Sequence, residues 1–116
     1  MATWDDVRRL ALELPEAEES TLYRKTAFKV RGKAFVWESP HEYGACVVRV
    51  EPPELRLLLE SNPDAYYVTR HYHGYPMILL NLDAIRLGDL RERIEDSWVL
   101  SAPPQLREQL AVEPSG

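Results

Sequence analysis

A chain of 116 residues with 45% hydrophobic residues has the length of one domain, 1–116, and enough apolar material for a self-standing core. It holds no apolar run approaching the roughly 20 residues that cross a bilayer, and the opening MATWDDVRRL lacks the cationic flank and apolar run of a signal peptide. Cys46 is the single cysteine, so no intrachain disulfide can form, and the formal net charge of −5 argues against a wholesale nucleic-acid coat; the expected setting is the cytoplasm.

The chain opens with Trp4, Val7, Leu10, Ala11 and Leu14 at helical spacing. Thr3 is placed to cap this helix, with Asp5 and Asp6 near the positive end of its dipole, and Pro15 ends the pattern. The segment PEAEES reads as a polar linker. The first twenty residues carry six acids (Asp5, Asp6, Glu13, Glu16, Glu18 and Glu19) against Arg8 and Arg9.

The next stretch, YRKTAFKVRGKAFVW over residues 23–37, reads as a β-hairpin. Phe28 and Val30 lie two apart, as do Phe35 and Trp37, which places each pair on one face of its arm. All four are expected in the core. Gly32, between Arg31 and Lys33, supplies the positive φ of a tight turn. The opposite face of the first arm carries Lys25, Ala27, Lys29 and Arg31. Residues 21–37 contain five cations (Arg24, Lys25, Lys29, Arg31 and Lys33) and no acid. One reading is a solvated strand face whose lysines discourage edge pairing. The other is a wing that contacts phosphates, since a local basic patch can exist on an acidic protein.

SPHEYG, residues 39–44, is a loop by composition. Residues 45–50, ACVVRV, form a third strand with Cys46, Val48 and Val50 on one face. Pro52-Pro53 stops it, and Pro53 suits the first turn of a helix built on Leu55, Leu58 and Leu59. Ser61-Asn62-Pro63 ends that helix. Residues 65–69 are a fourth strand, RHYHGYP a second acid-free tip, and residues 77–82 a fifth, continuously apolar strand. Leu87, Leu90, Ile94 and Trp98 mark a third helix that Pro103-Pro104 breaks. Leu106 and Leu110 suggest a last helix before a frayed VEPSG end. The predicted order is α-βββ-α-ββ-α-α, an α+β domain with a mainly antiparallel five-stranded sheet.

Candidate chemistry is sparse. His71 and His73, with His41 and Glu42, have the donor types of a metal site, but no compact ligand motif such as HExxH is present, and no metal or other cofactor is expected. Cys46 has apolar neighbours and reads as core, not as a reactive thiolate. Trp37 and Trp98 read as core. No P-loop, dinucleotide-binding glycine pattern or nucleophile elbow occurs, and the carboxylates are scattered, so no catalytic residues are assigned and a non-enzymatic protein is expected. Tyr66, Tyr67, Tyr72 and Tyr75 cluster around the second tip. Some would plug the sheet, and others would line a groove able to hold a small ligand, a peptide or stacked bases.

The chain resembles the MmcQ/YjbR family. The resemblance rests on Lys29-Val30-Arg31-Gly32-Lys33-Ala34-Phe35, the Leu55 helix, Tyr72-His73-Gly74-Tyr75 before an apolar strand, Ser97-Trp98 and Ala102-Pro103. It implies a double-wing fold similar to the DNA-binding domain of a phage transcription factor, and with that fold a DNA-binding role; the net charge of −5 and mainly electrostatic wing contacts make DNA a weakly held, salt-dependent partner. On that reading Arg24, Lys25, Lys29, Arg31 and Lys33 contact phosphates from one wing, and Arg70, His71 and His73 from the other. The alternative is a small-molecule or protein-binding module with an aromatic cleft formed by Tyr66, Tyr67, Tyr72 and Tyr75. The two readings separate on whether the cations of both wings share one surface or a pocket opens between the wings.

Overall fold

The computed structural model describes residues 1–111. In chain order it contains α1 (Trp4–Leu12), β1 (Ala17–Leu22), β2 (Lys25–Val30), β3 (Lys33–Glu38), β4 (Cys46–Arg49), α2 (Pro52–Ser61), β5 (Tyr66–Tyr67), β6 (Met77–Leu80), α3 (Leu87–Ser101) and α4 (Pro104–Ala111). The strands form one six-stranded sheet in the order β1-β2-β3-β4-β6-β5, antiparallel at every step. This is the expected α+β class with one more strand than predicted. The expected VEPSG tail lies outside the described residues.

α1 begins where the sequence places it. Thr3 Oγ1 accepts from the Asp6 amide, and Asp6 Oδ2 accepts from the Thr3 amide at 2.9 Å, a reciprocal capping box. Val7, Leu10 and Ala11 turn inward. The extra strand is β1, where a polar linker was expected. Its residues pair along the whole of β2, from Ala17 opposite Val30 to Leu22 opposite Lys25, yet none is buried. It is an edge strand, held by backbone pairing and guarded by charge, so it shows no alternation to read. Tyr23 and Arg24 join β1 to β2 with φ of 52° and 66°. Such a turn is usually built from Asn and Gly, and neither is present here. The β2–β3 turn follows the usual chemistry, with Arg31 at φ 50° and Gly32 at 82°.

A β-bulge alters the expected register of β3. Phe28 pairs with Val36 and Lys29 with Ala34, which leaves Phe35 unpaired. Phe35 therefore shares a face with Val36, and Trp37 falls on the other face instead of beside Phe35. Phe28, Val30, Phe35 and Trp37 are nevertheless all buried.

The faces of the sheet differ. One carries the main core, in which Phe28, Val30, Phe35, Val36, Cys46, Val48, Ile78 and Leu80 meet Val7 and Leu10 of α1 and Ile94 and Trp98 of α3. Trp98 is fully buried and its Nε1 donates to the Pro15 carbonyl at 3.1 Å. Beside it, the Ser97 hydroxyl donates to the Phe35 carbonyl and accepts from the Arg49 amide at 2.9 Å. The bulge disrupts the ladder locally, and Ser97 satisfies groups on both strands around it. Ser97→Ala leaves those buried groups without their partner and is expected to cost about 2 kcal/mol in a chemical melt.

Among the described residues the other face has no helix on it. Ala27, Ala34, Trp37, Ala45, Val47, Tyr72 and Leu79 form a second, smaller cluster drawn from strands and from two loops, residues 39–45 and 68–76. The second of these loops folds back over the sheet, where Tyr72 joins the cluster.

Candidate functional site: a cleft on the open face of the sheet

The helix-free face is built from the alternate residues of its strands. In register these include Leu22 on β1, Lys25, Ala27 and Lys29 on β2, Ala34 and Trp37 on β3, Val47 and Arg49 on β4, and Met77 and Leu79 on β6. This face carries a cleft of about 360 Å³. Trp37, Met77 and Leu22 line its base with Arg49. Tyr72, His41 and His71 wall it, and Tyr23 and Tyr75, 75% and 60% exposed, stand at its mouth.

Arg49 is the unusual member. Its guanidinium carbon lies 5.4 Å from the Trp37 ring centroid, a cation–π distance, and its Nε donates to the Ala34 carbonyl at 2.9 Å. Burial pushes its pKa down from the ordinary arginine value. Among the described residues no carboxylate forms an ion pair with it.

The wall joins two loops, residues 39–45 and 68–76. The His41 and His71 rings stack at 3.9 Å with 4° between their planes. His71 Nδ1 lies 3.1 Å from Glu42 Oε2. Ser39 is the hub. Its hydroxyl donates to Glu42 Oε1 at 2.8 Å and accepts from the Tyr72 hydroxyl at 2.9 Å. A serine, an imidazole and a carboxylate thus meet, but not in the order that activates a nucleophile. Ser39 bonds to the carboxylate and not to the imidazole, and it lies buried under Tyr72. The arrangement latches one loop to the other.

Burial alone would raise the Glu42 carboxyl, but hydrogen bonds from Ser39 and His71 outweigh it and hold the group below its ordinary range. A lowered carboxyl stabilises the fold fully above its unfolded value of 4.5, and that stability is lost as pH falls through the lower folded value. Glu42→Gln is expected to cost about 1 kcal/mol at pH 7. The difference from wild type should shrink as pH falls below 4.5 and through the lowered folded value. A pH-independent difference in thermal midpoints would rule out this carboxylate as the latch.

The cations proposed for the wings divide between two ends of the hairpin pair. Arg24 lies in the β1–β2 turn and Lys25 just after it, with the Lys25 ammonium 5.6 Å from the Tyr43 ring. Arg31 and Lys33 lie at the opposite end of β2. Arg31 is taken up by Glu16, with its Nη2 at 3.0 Å from Oε2, and this holds the Glu16 carboxyl below its ordinary value. Lys29 sits between the ends and stands across from Glu18. Arg70, His71 and His73 are exposed on the second loop, where only His71 lines the cleft. Tyr72 and Tyr75 line it too. Tyr66 faces the helix-side core, where burial raises its phenol pKa. Tyr67 is on the open face but lines a separate cavity with Ala2 and Tyr43. Sequence reasoning missed Arg49, although a charge interrupting the apolar ACVVRV strand is the signal that marks it. It also read Trp37 as core alone, whereas Trp37 is core and cleft floor together.

A family model described as YjbR matches residues 12–100, which span β1 through most of α3, including both hairpins and the Ser97–Trp98 pair. The uncharacterized protein Rv2570 of Mycobacterium tuberculosis is 33% identical over 123 residues, covering 91% of this chain and 93% of its own. The uncharacterized protein Mb2600 of Mycobacterium bovis matches to the same extent. The crystal structure of Deinococcus radiodurans protein DR2400, which carries the family-model domain DUF419, superposes with a TM-score of 0.77 at 20% identity, covering 100% of this chain and 96% of that one. The sheet with its bulge, its Ser97 bridge and its one covered face is the scaffold over which these matches extend, and the chain belongs to the YjbR family.

Proposed function

We propose that the protein is a non-enzymatic binding module and that its working surface is the cleft on the helix-free face, which takes a small molecule. The observation that carries this reading is Arg49. Arg49 is half-buried, and withdrawing even part of a charge from water is costly unless it is paired. Here one carbonyl and one aromatic ring face the guanidinium, and no acid among the described residues is paired with it. The cleft also falls in the size range of small-molecule sites, roughly 300–1,000 Å³. The test is an amide and side-chain NMR titration with a mixed library of small aromatic compounds. Saturable shifts should gather on Trp37, Arg49, Tyr72 and Met77. Shifts confined to other surfaces, or none, would overturn the reading.

DNA binding by the wings is the second reading, and one observation favours it. Lys25 and Lys29 stand on the same face as Arg49. Arg31 and Lys29 contribute less than their count suggests, because Glu16 and Glu18 stand beside them. If about four phosphates are contacted, the log–log salt slope should be roughly −3 to −4. Lys25→Glu with Lys29→Glu should abolish binding while the fold persists. Wild type that binds neither duplex nor single-stranded DNA at about 50 mM salt, or a double variant that binds equally well, removes this reading.

A further inference from the structure

We infer that the ligand of this cleft is a planar aromatic anion: one ring system bearing a single carboxylate or phosphate, with the anion on Arg49 and the ring against the tyrosines. The inference rests on the small-molecule reading above and adds the ligand's charge and shape.

The charge follows from what surrounds the guanidinium. Nε is held by the Ala34 carbonyl, and the guanidinium carbon lies 5.4 Å from the Trp37 ring centroid. The Nη nitrogens make no hydrogen bond among the described residues. A guanidinium offers donors in a fixed fork that matches a carboxylate or phosphate, and here part of its desolvation has already occurred in the fold. The acid of the cleft wall does not compete, because Glu42 uses Oε1 on Ser39 and Oε2 on His71. A cationic ligand would meet Arg49 with no free carboxylate to offset it.

The shape follows from the walls. Trp37 is only 4% exposed and serves as a floor. Ring faces are offered instead at the mouth, where Tyr23 and Tyr75 are 75% and 60% exposed and both line the cavity. Exposed tyrosines around an apolar base that holds one cation stack a flat group at low entropic cost. A cavity of about 360 Å³ is near the lower end for ligand sites and suits one small molecule.

An aromatic carboxylate and a nucleoside monophosphate share this chemistry, and titration separates them. The 15N-labelled protein is titrated with 2-naphthoate, adenosine monophosphate, 2-naphthol and inorganic phosphate, following the Trp37 Nε1 and Arg49 Nε signals. Either 2-naphthoate or adenosine monophosphate should bind saturably, at least tenfold more tightly than neutral 2-naphthol and than phosphate alone. The tighter of the two names the source. Arg49→Gln should lose at least tenfold in affinity, and Arg49→Lys should lose less. Tyr75→Ala, at an exposed position, should weaken the aromatic anion while leaving the thermal midpoint unchanged, so the proposal stays testable if Arg49 variants fail to fold. Equal binding of 2-naphthol and 2-naphthoate overturns the anion assignment but leaves the small-molecule cleft standing. Equal binding of phosphate alone overturns the aromatic assignment. No shift at the cleft with these probes overturns the ligand class, and no shift with the mixed library removes the small-molecule reading beneath it.

Discussion

Phe35→Ala lowers the unfolding free energy by about 3–5 kcal/mol, the range for a buried phenylalanine reduced to alanine. Phe35 is fully buried and sits in the helix-side cluster with Phe28 and Trp98. It is also the extra residue of the β3 bulge, so its ring is delivered to the core by a local break in the ladder. The Ser97 hydroxyl bonds to its backbone carbonyl, and alanine keeps that bond. The loss is therefore a cavity between sheet and α3, not a broken backbone. In a urea melt the midpoint should fall with little change in slope, because the native surface is otherwise retained. Leu57→Ala is the matched control, since Leu57 is 62% exposed and surface changes of this kind usually stay within about 0.5 kcal/mol. A cost below about 1 kcal/mol at Phe35 would mean that the bulge does not turn its ring inward.

Where single-residue chemistry fixes local geometry, the sequence is readable. Thr3 with Asp6 marks the start of α1, Gly32 marks a turn, and the periodic Leu90, Ile94 and Trp98 mark α3. The misses share a different cause. β1 exists because β2 offers it a backbone edge, and its own solvated side chains carry no alternating pattern. Tyr23 and Arg24 adopt positive φ because the strands on either side demand a two-residue turn. The bulge at Phe35 is a matter of register between strands and does not appear in the spacing of one strand. The same limit applies to the site. A run of cations without acids looks like a basic surface only until β1 lays Glu16 and Glu18 beside it. Arg49 is visible as a charge in an apolar strand, but that no carboxylate among the described residues pairs with it is a three-dimensional fact. Tyr66 and Tyr72 are alike in sequence, and only the pleat of β5 and the path of loop 68–76 send them to opposite faces.

Arg93→Ala is expected to cost about 3 kcal/mol at pH 7, toward the low end for breaking a buried ion pair. Arg93 lies on α3 with only 5% of its side chain exposed. It bonds Glu54 of α2, Glu92 and Asp96, each at 3.1 Å. Removing it leaves three carboxylates facing one another, though they are 44–66% exposed and can recover water, which is why the low end applies. α2 should respond most. It has no buried residue of its own, and Leu55, Leu58 and Leu59 only pack partly against the core, so the Glu54 pair is one of few ties. Amide exchange in α2 should speed up more than in α3. The pH dependence has a definite sign. Partial desolvation, with Glu92 and Glu54 nearby, already raises the half-exposed Asp96 carboxyl above its ordinary value, against the lowering influence of Arg93. A raised carboxyl binds its proton more tightly in the folded state, so stability falls as pH rises above 3.8, the unfolded value. Losing Arg93 raises that carboxyl further, and the penalty above pH 3.8 grows. The difference between wild type and variant should therefore be largest near neutrality and shrink as pH falls toward 4. Arg93→Met, which keeps the packing of the stem, should retain part of the stability but show the same shrinkage. A difference that stays constant from pH 7 to 4 in both variants would mean that Arg93 acts by packing alone and that the three carboxylates do not depend on its charge.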